Sequence, residues 1–125
     1  MTKQPILVVD DDDGARTMLC IVLCAEGYRA IGAADGLEAL ERFRSDGVPA
    51  LVFVDLMMPR MDGEGLIREM RRDPSLSHVP IAIISGQMTE RPVRQSPGVI
   101  ASVTKPIELD DLLNIARQFA LPGVS

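Results

Sequence analysis

The chain has 125 residues, 46% of them hydrophobic and 25% charged, and a net charge of −5. That length suits one domain able to bury a two-sided core without a disulfide or structural metal, and the acidic balance argues against a sequence-independent nucleic-acid surface. No apolar run reaches membrane-spanning length, and Met1-Thr2-Lys3-Gln4-Pro5 lacks the apolar region of a secretory leader, so a cytoplasmic protein without membrane contact is expected.

Ile6-Leu7-Val8-Val9 reads as a first strand that runs into Asp10-Asp11. From Asp13 to Glu26, the residues Ala15, Met18, Leu19, Val22 and Leu23 recur at helical spacing and predict one apolar face. Asp12 is expected as a loop acid, Asp13 as the N-cap, and Gly27 as the stop. Cys20 and Cys24 lie one turn apart on that helix, with the single histidine, His78, far away. This set makes neither a structural zinc site nor a well-shaped disulfide, so the cysteines read as small packing residues. Tyr28 to Ala33 is a second strand, and Asp35-Gly36-Leu37-Glu38 is an N-cap with a glutamate three residues on. The helix it opens is expected to bury Leu37, Leu40 and Phe43.

Leu51-Val52-Phe53-Val54 is a third strand that leads into Asp55. Asp62-Gly63-Glu64 opens a helix carrying Leu66, Ile67 and Met70, which ends before Pro74. His78 reads as a surface residue ahead of the fourth strand, Ile81-Ala82-Ile83-Ile84, which leads into Ser85. The stretch from Thr89 to Gly98 should hold the next crossover helix, but it contains Pro92 and Pro97 and almost no apolar face. A short helix around Pro92 to Gln95 and a loop are both compatible with it. Val99 to Val103 is a fifth strand closing on Lys105, and Glu108 to Phe119 sets Leu109, Leu112, Leu113 and Ala116 on one last helical stripe.

Alternating strands and helices, with strands apolar throughout, predict an α/β fold whose parallel sheet is covered on both faces. Right-handed crossovers make it doubly wound, and for five strands the common order is 2-1-3-4-5. That order sets strands 1 and 3 side by side, with the switch point at their carboxyl ends. Asp10, Asp11 and Asp55 would meet there, beside Ser85 and Lys105. Two carboxylates about 4 Å apart repel by roughly 4 kcal/mol at an effective dielectric near 20, so such a cluster needs a cation or a proton. Hard oxygen ligands favour Mg²⁺ or Mn²⁺. An aspartate nucleophile, a dication, a lysine and a hydroxyl are the parts that phosphoryl transfer requires.

Four motifs in this order resemble the receiver domain of bacterial two-component response regulators. Val8-Val9-Asp10-Asp11-Asp12 resembles the family's acidic pair, and Val54-Asp55-Leu56-Met57-Met58-Pro59-Arg60-Met61-Asp62-Gly63 its phosphorylation loop. Ser85-Gly86 resembles its hydroxyl followed by a small residue, and Val103-Thr104-Lys105-Pro106-Ile107 its lysine-proline element. The resemblance implies a flavodoxin-like three-layer sandwich as a single receiver domain over residues 5–120, with 1–4 and 121–125 as short tails. It further implies that Asp55 accepts phosphate from a histidine kinase or histidine phosphotransfer domain. Asp11, Asp55 and the backbone carbonyl of Met57 would hold Mg²⁺ (or Mn²⁺), with Asp10 acting through a metal-bound water. Ser85 and Lys105 would take phosphoryl oxygens, Gly86 would leave room for the donor, and a cis peptide would precede Pro106. Such a protein is a phosphoprotein switch rather than an enzyme: it catalyses only its own loading and unloading.

The chain departs from the family pattern at Ser102, where the family usually carries a rotating Tyr or Phe, and in the proline-laden stretch before the fifth strand. Both lie on the family's output face, so output through atypical protein contacts is expected. Met57 and Gln87 occupy positions that tune dephosphorylation; an apolar Met57 cannot orient water, which implies a long-lived acyl phosphate. The alternative is a docking module of the same fold in which phosphorylation is incidental. A haloacid-dehalogenase-type phosphatase would need an acid where Met57 stands, and a flavin mononucleotide carrier would need phosphate-cradling amides where Asp10 to Asp13 stand.

Overall fold

The computed structural model describes residues 4–56, 63–85, 98–105 and 107–120. Within them the chain runs β1 (Ile6–Val9), α1 (Asp13–Ala25), β2 (Ala30–Ala33), α2 (Gly36–Asp46), β3 (Leu51–Asp55), α3 (Gly63–Arg72), β4 (Ile81–Ser85), β5 (Val99–Thr104) and α4 (Leu109–Phe119). The strands form one parallel sheet in the order β2-β1-β3-β4-β5, as the apolar runs predict. The expected irregular helix between β4 and β5 falls outside the described residues.

Alternation along the strands divides the core in two. Leu7, Val9, Val52, Val54, Ile81 and Ile83 face α2 and α3, where Ala39, Leu66, Ile67 and Met70 close over them. Ile6, Val8, Leu51, Phe53, Ala82 and Ile84 face the other way, under Leu19 and Leu23 of α1 and Leu112 and Ala116 of α4. β1, β3 and β4 are buried along their whole length, whereas the edge strand β5 has only Val103 buried. Its pairing with β4 skips a residue: Ile81 faces Val99 and Ala82 faces Ala101. This bulge leaves Ile100 exposed and interrupts an edge that could otherwise template pairing with another chain.

Three expected core positions are corrected. Met18, Leu37 and Leu109 are exposed. Leu37 and Leu109 lie in the first turns of α2 and α4, where side chains lean toward the helix start and away from the sheet. Met18 lies beside the stripe that Leu19 and Leu23 define, not on it. Both cysteines are free, Cys20 half-buried and Cys24 exposed, and burial raises the Cys20 thiol above its usual range. The core is keyed on Phe53, fully buried in the central strand. Phe53→Ala is expected to lower unfolding free energy by about 3–5 kcal/mol, read by urea titration.

Candidate functional site

In the sheet register, Val9 lies against Val54 and Asp55 against Ile84. Asp10, Asp55 and Ser85 therefore emerge at one rim, each just where an apolar run ends. The amide of Asp10 makes a last rung to the Ala33 carbonyl at 3.0 Å. Beyond it the chain turns sharply: the Asp12 amide donates to Asp10 Oδ1 at 2.9 Å. Asp12 Oδ1 then accepts from the amides of Gly14 and Ala15 at 2.9 and 3.2 Å. Asp12, not Asp13, is thus the N-cap; Asp13 is the first helical residue, because only the side chain outside the helix can turn back onto its free amides.

Asp55 is held from behind. The Gly63 amide at the start of α3 donates to the Leu56 carbonyl at 3.1 Å. A Cβ at position 63 would sit 2.7 Å from Leu56 Cα and 2.8 Å from the Asp55 carbonyl oxygen, so only glycine lets the helix start this close to the strand end. Across the rim, the Lys105 amide donates to the Ser85 carbonyl at 2.7 Å. This places Lys105 Nζ 2.8 Å from Asp55 Oδ2 and 3.8 Å from Asp10 Oδ2.

Asp10, Asp11 and Asp55 each bring a carboxylate oxygen within 4.8 Å of the others. Asp10 is 0% exposed, and its Oδ2 accepts no hydrogen bond among the described residues. Burial, and then the charges of Asp55 and Asp11, raise its carboxyl above the ordinary range, against the Asp12 amide and Lys105. Burial pulls the Lys105 ammonium down, but the Asp55 hydrogen bond and the pull of Asp10, Asp55 and Asp11 outweigh it and hold its pKa above the usual lysine value. A buried oxygen without a donor, facing two further carboxylates, fits a hard divalent cation. This acidic pocket can bind one.

The structure thus brings together Asp10, Asp11, Asp55 and Lys105, with Ser85, 8% exposed, ending the neighbouring strand. Ser102 sits on the exposed side of β5. Met57, Gly86, Gln87 and Pro106 lie outside the described residues. Sequence reading missed Arg16, whose guanidinium donates to the Asp10 carbonyl at 2.7 Å; its partner is backbone, so no pairing of side-chain types signals it.

A model of the response regulator receiver domain matches residues 6–117. The chain belongs to that family. A probable transcriptional regulator, ycf27 of Porphyridium aerugineum, is 38% identical over 90% of the chain, and the match covers 46% of that protein. The chain spans under half the length of such regulators. The sporulation initiation phosphotransferase F of Bacillus subtilis is 29% identical over 95% of both chains. A response regulator receiver protein of Pseudomonas putida superposes with a TM-score of 0.86 at 28% identity, over 94% of this chain and 98% of that one. The receiver fold and the membership of two-component response regulators follow.

Because Asp10 folds with a raised pKa, its contribution favours the native state below the unfolded value of 3.8 and is lost as pH rises through the folded value. Asp10→Asn keeps the Oδ1 acceptor for the Asp12 amide and removes the buried charge. In metal-free buffer at neutral pH it is expected to stabilise the fold by about 1–3 kcal/mol. That gain should vanish as pH falls below 3.8 in paired denaturation curves.

Proposed function

We propose that this receiver is a phosphorylation-controlled switch, loaded on Asp55 by a phosphohistidine of a histidine kinase or a histidine phosphotransfer protein. The supporting observation is the Lys105 ammonium 2.8 Å from the Asp55 carboxylate at the mouth of the acidic pocket. In this reading an Asp55 oxygen attacks phosphorus in line. The new O–P bond forms as the N–P bond breaks, and imidazole departs with that electron pair and takes up a proton. Lys105 moves its hydrogen bond from the carboxylate to a phosphoryl oxygen, Ser85 donates to another, and Gly86 leaves space for the donor. Asp11, Asp55 and the Met57 carbonyl would hold Mg²⁺ (or Mn²⁺), with Asp10 acting through a bound water, and the ion would supply neutralising charge for the transferring group. The domain, residues 5–120, turns over no separate substrate.

The docking face in this reading is the start of α1 with Pro106 and Ile107; Met18 and Ile21 are exposed on α1. Among the described residues, no helix is long and apolar enough to cross a membrane. Output differs from aromatic rotation. Ser102 lines an open cleft of about 670 Å³ with Thr104, Glu108, Asp111 and Ile115, and a serine has no ring to carry inward. The same observation favours the second reading, a docking module that ignores phosphate.

Phosphotransfer from a radiolabelled histidine donor separates the two readings. Label should appear on the wild type, require Mg²⁺, and be absent from Asp55→Asn; an unlabelled wild type would favour docking alone. Loaded protein should keep its label long after donor removal, given the apolar Met57, and rapid release of phosphate would contradict that lifetime.

A further inference from the structure

We infer that Arg16 is a positioning residue for the cation pocket: by bonding the Asp10 carbonyl it fixes the β1–α1 turn that presents Asp10 and Asp11. The inference rests on the metal reading above and extends it to a residue outside the acidic set.

The turn has a specific weakness. Parallel pairing of β1 with β2 ends at Val9 and Ala33, and the Asp10 amide makes the final rung to Ala33. A strand residue directs its amide and carbonyl to the same side, so the Asp10 carbonyl faces a ladder that has already ended. Arg16 Nη1 takes the place of the missing rung at 2.7 Å, and Nη2 of the same planar fork reaches the Asp13 carboxylate. One guanidinium thereby ties the end of the strand to the first turn of the helix, spanning Asp11 and Asp12. Lysine, a point donor on a flexible stem, cannot make both bonds in that fixed geometry.

Two features show that the arrangement is built for this side chain. The Arg16 side chain is only 20% exposed, and its stem lies across Gly32 of β2, where a Cβ would meet Cδ at 2.9 Å and Cγ at 3.0 Å. A Cβ at position 32 would force that stem to shift. A cation in the first turn of a helix also opposes the helix dipole, so helix stability alone does not place an arginine there.

The sign of the effect separates positioning from simple charge. If Arg16 acted only as a nearby cation, its removal would relieve repulsion and tighten the binding of a dication. If it positions the turn, its removal loosens binding.

Mn²⁺ binding to the full chain, followed by electron paramagnetic resonance at fixed ionic strength, reads this directly. Arg16→Met should bind Mn²⁺ about tenfold more weakly, the usual scale for losing a group that orients ligands. Arg16→Lys should fall between the two. Gly32→Ala, which keeps Arg16 but displaces its stem, should weaken binding in the same direction and shift the amide resonances of Asp11 and Asp12. Binding by Arg16→Met that is unchanged or tighter would overturn the inference, as would Gly32→Ala binding like the wild type. Should Arg16→Met fail to fold, Gly32→Ala decides alone. A wild type that binds no Mn²⁺ would remove the metal reading itself, and the role of Arg16 with it.

Discussion

The rim of this sheet is organised by mutual repulsion of carboxylates. Three of them converge within 4.8 Å, one fully buried with an oxygen that accepts no hydrogen bond among the described residues. Left alone, such a group would neutralise itself or open the turn that carries it. Lys105 holds it in part, at 2.8 Å from Asp55 but 3.8 Å from Asp10. The mismatch matters for function: the ammonium satisfies Asp55 and leaves the side toward Asp10 and Asp11 with an excess of negative charge. That imbalance suits this rim to a divalent cation.

The fold supplies the rigidity that such a cluster needs. β1, β3 and β4 are buried on both faces, so their ends cannot drift apart without opening both cores. The close seat of Gly63 against Leu56 and Asp55 fixes the end of β3 from one side, and the backbone bond from Lys105 to Ser85 fixes the lysine from the other. The β1–α1 turn lies beyond the ladder and has its own devices: an Asp10–Asp12 side-chain turn, an Asp12 cap and the Arg16 fork. Charge sits where the chain leaves the ladder, because only there can carboxylates face a ligand while their backbones stay anchored.

The sheet was legible because β1, β3 and β4 are short uninterrupted apolar runs that each lead into a polar residue, the pattern that parallel burial on two faces demands. The convergence of Asp10, Asp55 and Ser85 followed from strand order alone. Lys105 was placed at the same rim on the same ground, as the residue on which the fifth apolar run closes; only its expected contact with a phosphoryl oxygen came from resemblance. Helix faces were read less well. Met18, Leu37 and Leu109 are apolar and correctly spaced, yet exposed, because a helical stripe says which residues share a face and not how far the sheet extends beneath it. The N-cap was placed one residue late because four successive aspartates, Asp10 to Asp13, offer equivalent caps. Arg16 escaped notice because its decisive partner is a carbonyl. Ser102 was legible only as a departure from a family pattern, and the cleft beside it is a property of three-dimensional packing.

Beryllofluoride, a tetrahedral mimic of the phosphoryl group, followed by ¹⁹F resonance, reads whether Asp55, Lys105 and a dication form one phosphoryl site. A protein-bound signal is expected only with Mg²⁺ present, and it is expected to be lost in Asp55→Asn and in Lys105→Met. A bound signal that persists without Mg²⁺ or without the Asp55 carboxylate, or no bound signal at any Mg²⁺ concentration, would contradict it.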